Sequence, residues 1–157
     1  MEGSRFVRIA VESDIPFIAD NMRIADVNEV WSSHRHTPLQ SLEASFKTSS
    51  LIWTMEHVGN PVVMFGVASG GALSDTGYPW LLGTDLMYKV TLEFLRYSRY
   101  YVNKMLRMFD VLENWVDIRN DKSVRWLQWC GFQLEKPEPW GFDNLLFSHF
   151  TMERCYV

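Results

Sequence analysis

A chain of 157 residues suits one domain and leaves little room for a second, and 47% hydrophobic against 22% charged residues excludes a disordered polymer. The net charge of −4 argues against a general nucleic-acid binder, which would carry a basic face. No apolar run approaches the roughly 20 residues that cross a bilayer.

The elements read in chain order as follows. The N-terminus lacks the apolar core of a signal peptide, and "RFVRIAV" (5–11) alternates as a first strand. "ESDIPFIADNM" starts a helix, with Ser13 as N-cap, Pro16 in its first turn and Asp14 at the positive end of the dipole. "VWSSHRHTP" reads as a loop, and a second helix covers Leu39 to Phe46. "LIWTMEHV" (51–58) and "VVMFGVAS" (62–69) form an antiparallel hairpin across the turn "GNP" (59–61), and "YPWLLGTDLM" (78–87) contains a third strand.

The longest helix runs from about Thr91 to Phe109, with Leu92, Leu95, Val102, Leu106 and Phe109 on one stripe and Phe94, Tyr101, Met105 and Met108 on another. Such a wide apolar arc belongs to a helix packed on a sheet and covered from beside. "LENWVDI" (112–118) is a strand, and 121–130 a helix that ends at Gly131, a natural left-handed terminator. "FQLE" and "LLFSHFTM" are strands flanking the loop "KPEPWGFDN". The order β-α-α-β-β-β-α-β-α-β-β makes one mixed α+β domain over residues 1–157, not the alternating units of a doubly wound fold.

This order resembles that of the GNAT N-acetyltransferases, and "NDKSVRWLQWCGF" (120–132) carries the resemblance most closely. Members often place Asn, a small residue three on, a Tyr seven on, and Gly-Phe at eleven and twelve. Here these are Asn120, Ser123, Leu127, Gly131 and Phe132, so the general-acid Tyr is replaced by Leu127. The resemblance implies a mostly antiparallel sheet flanked by helices, with acetyl-coenzyme A between two splayed strands, here 78–84 and 112–118. It places the cofactor on Leu82, Gly83, Thr84, Lys89, Asn120 and Ser123. A glycine-rich loop, whose amides would cradle the pyrophosphate at a helix N-terminus, is expected before the long helix. Only Gly83 stands there, Asp85 adds negative charge, and Lys89 is a compensating phosphate partner.

A narrower resemblance covers residues 78–135. "YVNKMLRMFDVLENWVDIRNDKSVRWLQWCGF" is similar to the gene-thirteen products of T7-like podoviruses, internal-virion or morphogenesis proteins. It implies a bacteriophage protein in the host cytoplasm or on the virion, with phage structural or morphogenesis proteins as partners.

Two functions follow: an acyl-coenzyme A dependent N-acetyltransferase of unknown acceptor, or a catalytically degenerate protein of the same fold acting in virion assembly. The catalytic residues are not identified. Glu56, Asp85 and Glu113 are candidate bases, each more readily a solvated carboxylate, and Tyr97, Tyr100 and Tyr101 read as packing residues of the long helix. Asn120 reads equally as a plain N-cap. "HRH" (34–36) reads as a solvent-facing loop rather than a metal site. Cys130 reads as a small buried hydrophobe; with Cys155 it is unpaired by any metal-binding spacing, which fits a reduced, cytosolic compartment. Trp126 and Trp129, three apart, read as an exposed partner surface or as core beneath the terminal hairpin.

Overall fold

The computed structural model describes residues 3–156. Its centre is an eight-stranded mixed sheet in the order β1-β2-β3-β4-β5-β8-β6, with β7 also paired to β8. The strands are β1 (Val7–Ile9), β2 (Ser49–His57), β3 (Asn60–Ser69), β4 (Thr76–Gly83), β5 (Val111–Asp117), β6 (Gln133–Leu134), β7 (Glu138–Trp140) and β8 (Leu145–Glu153). Every pairing is antiparallel except β4 with β5. The helices are α1 (Ile15–Asp20), α2 (Ile24–His34), α3 (Pro38–Thr48), α4 (Thr91–Met108) and α5 (Asp121–Cys130).

The central strand β3 sorts its side chains by the two-residue period of a strand. Val63, Phe65 and Val67 face α4 and α5 in the larger core, where Phe65 meets Phe94 and Tyr101 edge-on at 5.7 and 5.4 Å. Met64 joins Ile15, Ile18, Leu42 and Leu82 in a second core under α1 and α3. The sheet is thus buried on both faces, as an α+β fold of three layers requires.

The expected α4, β5 and α5 match to within a residue or two, and α5 ends at Gly131 in the left-handed conformation (φ 99°). Four expectations are corrected. The first helix is split into a 3-10 turn (Glu12–Asp14) and α1, so Ser13 lies inside the turn and caps nothing. The stretch read as a loop from Val30 is the C-terminal half of α2, which closes at Arg35 in the left-handed region (φ 57°). The β2–β3 turn is centred on Val58 and Gly59, both at positive φ, the backbone that matches strand twist in a two-residue hairpin. Leu92, counted in the apolar stripe, is 85% exposed, because it lies more than half a turn of helix from Phe94, which takes the buried side.

Candidate functional site

The site begins where β4 and β5 part. These strands pair only at Thr76–Val111 and Gly77–Leu112, then diverge. Packing explains the hinge: a Cβ on Gly77 would meet Phe109 Cδ2 and Val67 Cγ2 at 2.6 Å, so only glycine lets the strands touch there. Next along β4, Pro79 has no N–H to offer a neighbouring strand. The Asn114 amide fills in for the lost ladder, its Nδ2 donating to Pro79 O at 3.0 Å.

Two cavities open on the parted strands, one of about 330 Å³ and one of about 490 Å³. Leu81, Ser123 and Trp126 line both, so the cavities meet across the gap between β4 and the N-terminal half of α5. The larger runs under the start of α4 and the face of α5, past Arg23, Lys122 and Arg125. Arg23 is held by Asp26 (2.8 Å) and Arg125 by Asp121 (2.8 Å), which leaves Lys122 as the cation of this cavity with no ion-pair partner among the described residues. Neither α4 nor α5 has a side-chain cap at its N-terminus. Their first amides and positive dipole ends are therefore open to an anion.

The smaller cavity lies toward α2 and α3. Its polar wall is a buried network at the open end of the cleft. The Asp26 carboxylate on α2 accepts from the Arg23 guanidinium, from Gly83 N–H at the end of β4 (3.0 Å) and from Asn120 Nδ2 before α5 (3.0 Å). Asn120 Nδ2 also donates to Glu29 Oε2 (3.0 Å), and Asn120 N–H donates to Asp117 O at the end of β5 (2.9 Å). One helix thereby ties together the ends of both parted strands. Burial, and after it the Asp26 charge, pushes the Glu29 carboxyl up to about 8 against the hydrogen bond from Asn120. Asn120 Oδ1 and Trp126 Nε1 are buried without a partner among the described residues.

The far wall is aromatic. Trp115 and Trp140 stack at 5.1 Å and 9°, and His34 meets Trp140 edge-on at 5.9 Å. Gly141 (φ 79°) lets the β7–β8 loop press on α2, where a Cβ would meet Ser32 O at 2.8 Å. Asp143 of that loop pairs with Arg35. The segment "HRH" is therefore partly built into the site: His34 ends α2, stacks on His36 at 5.7 Å, and both line the smaller cavity.

Each residue assigned from sequence has a definite place. Ser123 lines both cavities, whereas Asn120 lines neither, its amide nitrogen being engaged by Asp26 and Glu29. Leu82 is a wall residue of the smaller cavity, with its side chain in the core under α1 and α3. Gly83 and Thr84 have their backbone groups already engaged. Gly83 N–H goes to Asp26 and its carbonyl accepts from Arg23 N–H, while Thr84 N–H and Oγ1 both donate to Val62 O at 2.9 Å. Gly83 is glycine because Met87 lies on it, with Sδ 2.5 Å from where a Cβ would stand. Lys89 is exposed outside the cavity walls, its ammonium 4.9 Å from the Tyr88 ring. In place of a glycine-rich loop, a 3-10 turn (Asp85–Lys89) carries Met87 and Tyr88 into the larger cavity. Leu127 lines the smaller one.

Of the candidate bases, Glu56 pairs with Arg8 at 2.7 Å and Glu113 lies 3.3 Å from His149, both away from the cavities, while Asp85 lines the larger. Glu29 and Lys122 were missed as site residues. Nothing local marks Glu29, whose partner Asn120 is 91 residues away. Trp126 is half-buried on Phe94 (5.4 Å), and Trp129 half-exposed beneath Arg99 (4.9 Å). Cys130 is buried, and burial pushes its thiol up to about 11, in keeping with a packing role.

No family model matches the chain, and no curated protein matches it by sequence. Solved structures match closely in shape. A GNAT superfamily phosphinothricin acetyltransferase from Sinorhizobium meliloti, in complex with AcCoA, superposes with a TM-score of 0.73 at 14% identity, over 94% of this chain and 86% of that one. The ribosomal-protein-alanine N-acetyltransferase from Brucella melitensis gives 0.69 at 13% identity, over 94% and 99%. The aminoglycoside N(6')acetyltransferase from Legionella pneumophila gives 0.70 at 10% identity, over 98% and 94%. The fold is that of the GNAT acetyltransferases, an open, mostly antiparallel mixed sheet flanked by helices. At these identities the likeness concerns the fold. No helix among the described residues is long and apolar enough to cross a membrane.

Proposed function

We propose that the protein is an acyl-coenzyme A dependent N-acetyltransferase, with the coenzyme in the larger cavity and the acceptor amine in the smaller. The observation that carries this reading is the junction of the two cavities at Leu81, Ser123 and Trp126, with Glu29 on the acceptor side. Fold neighbours solved with acetyl-coenzyme A support the choice of cofactor. The pantetheine arm would lie between β4 and β5, where strand ladders are missing. The uncapped start of α4 would hold the diphosphate, with Lys122 as its counter-charge.

The reaction is direct transfer. Glu29 would remove a proton from the acceptor ammonium, the freed amine nitrogen would bond to the thioester carbon, the carbon–sulfur bond would break, and the proton shed by the nitrogen as it becomes an amide would balance the one gained by the leaving thiolate. A carboxyl near 8 suits this task, since a base works best when its pKa lies near the working pH. Leu127 cannot protonate the leaving sulfur. The Trp126 indole N–H is buried and unpartnered among the described residues, in a residue that lines both cavities, so at most it would hydrogen-bond the thiolate, and solvent would supply the proton.

The test is calorimetry and thermal shift with acetyl-coenzyme A at about 1 mM. Saturation at 100 times the dissociation constant raises stability by about 2.7 kcal/mol. Absence of heat and of any shift removes the coenzyme from this site.

A second reading, a noncatalytic protein of this fold that acts in phage virion assembly through protein contacts, draws on the same cavity. Tyr88 and Trp129 are exposed on its wall, and Met87 and Tyr88 occupy the place of the glycine-rich loop. That reading requires the protein to co-purify with capsids or assembly intermediates and to leave acetyl-coenzyme A unbound.

A further inference from the structure

The smaller cavity has a chemical character that selects among amines, and this inference rests on the acetyltransferase reading. Its far end is walled by flat rings. Trp115 and Trp140 lie parallel at 9°, His34 stands at 76° to Trp140, and Trp80 lines the same space. The rings are held in place: Trp80 Nε1 donates to Ser49 Oγ at 2.7 Å, and the Gly141 contact fixes the turn behind Trp140. Among the described residues that line the cavity there is one carboxyl, Glu29, and no Lys, Arg or Asp. Burial, and then the neighbouring His36, holds the His34 imidazole below its ordinary value, which disfavours a positive charge on the ring that meets Trp140.

We propose that the acceptor is a small primary amine carried on an aromatic body, an arylalkylamine, with its ammonium at Glu29 and its ring between Trp140 and Trp80. A single carboxyl matches a single ammonium. Aromatic faces receive a ring by stacking and tolerate a nearby cation. A free amino acid is disfavoured because its carboxylate would be desolvated with no cation to meet it. A polyamine is disfavoured because its second and third ammonium groups find no further carboxylate. The cavity volume of about 330 Å³ is at the small end for a ligand site, which excludes large polycyclic acceptors.

The experiment compares three probes on the intact protein: 2-phenylethylamine, L-phenylalanine, which adds only a carboxylate, and spermidine. Binding is read by quenching of the intrinsic tryptophan fluorescence without coenzyme, and transfer by release of free coenzyme A thiol. The expected result is that 2-phenylethylamine binds at least about tenfold more tightly than either of the others, and that Trp140→Leu removes about tenfold of that affinity. Equal or tighter binding of L-phenylalanine or spermidine overturns the proposal, as does a folded Trp140→Leu variant with unchanged affinity. If Trp140→Leu does not fold, the three-probe comparison on the native protein decides alone. Acetyl-coenzyme A binding with thiol release only for spermidine defeats this inference and leaves the acetyltransferase reading intact. Preferential binding of 2-phenylethylamine with no binding of acetyl-coenzyme A keeps the amine site and removes the transferase.

Discussion

The two cavities that meet at Trp126 are built by opposite strategies. The smaller is walled by committed side chains: stacked Trp115 and Trp140, and Glu29 fixed through Asn120 to both parted strands. The larger offers mostly backbone: two uncapped helix starts and one free ammonium, under a bulky 3-10 turn where a glycine-rich loop is expected. The contrast teaches that the missing glycines do not by themselves disable the fold. An anion at a helix N-terminus needs open amides more than it needs glycine, and α4 has them.

The contrast breaks most sharply at Glu29. Glu29→Gln keeps an oxygen for the hydrogen bond from Asn120 and is expected to lower kcat/KM by about 10²–10⁴, and to abolish the rise in rate through about pH 8 expected of the native protein. Steady-state thiol release across pH 6–9.5 measures both. Stability moves the other way, because a carboxyl whose folded pKa is raised costs stability as pH climbs. The cost is absent below the unfolded value of about 4.5, grows between there and about 8, and stays constant above. Thermal melts at pH 9 therefore find Glu29→Gln more stable than the native chain, and melts at pH 4 find them alike.

Asn120→Ala removes the amide that joins α2 to the start of α5 and leaves Asp26 short of a donor. A loss of about 2–3 kcal/mol is expected, or about 5–10 °C in Tm, larger than for any exposed residue of α5. A melt within 1 °C of native, about the scatter of repeat scans, contradicts the network.

Asn120 also marks how far sequence carries. Its spacing to Ser123, Gly131 and Phe132 was legible because all four belong to one helix and its ends. The long amphipathic α4 was legible for the same reason, as local periodicity. The C-terminal half of α2 was not, because its apolar contact with the second core stops at Val27 and Val30 and the next inward residue, Ser32, is buried but polar, which leaves the last turn without an apolar period. The two prolines of "KPEPW" hid β7 in the same way. Gly83 misled, since its missing side chain makes room for Met87 and not for phosphate.

Leu127→Tyr sharpens the comparison from the acceptor side. It returns a hydroxyl to the wall of the smaller cavity, where the leaving sulfur lacks a strong acid. A gain in kcat of about tenfold is expected if protonation limits turnover, alongside about 1–3 kcal/mol of lost stability from overpacking. An unchanged kcat in a folded variant places the limit elsewhere. The smallest effect belongs to the coenzyme side. Lys122→Ala raises the acetyl-coenzyme A dissociation constant by about three- to tenfold and weakens its salt dependence, read by calorimetry at two ionic strengths.

Amide hydrogen exchange with and without acetyl-coenzyme A tests the central claim most directly, because it reads where the ligand lies. The account predicts slowed exchange in three separate segments at once: 80–82 on β4, 91–93 at the start of α4, and 121–123 at the start of α5. Exchange that is unchanged there, or slowed only on the β1–β2 edge of the sheet, contradicts a coenzyme seated between the parted strands.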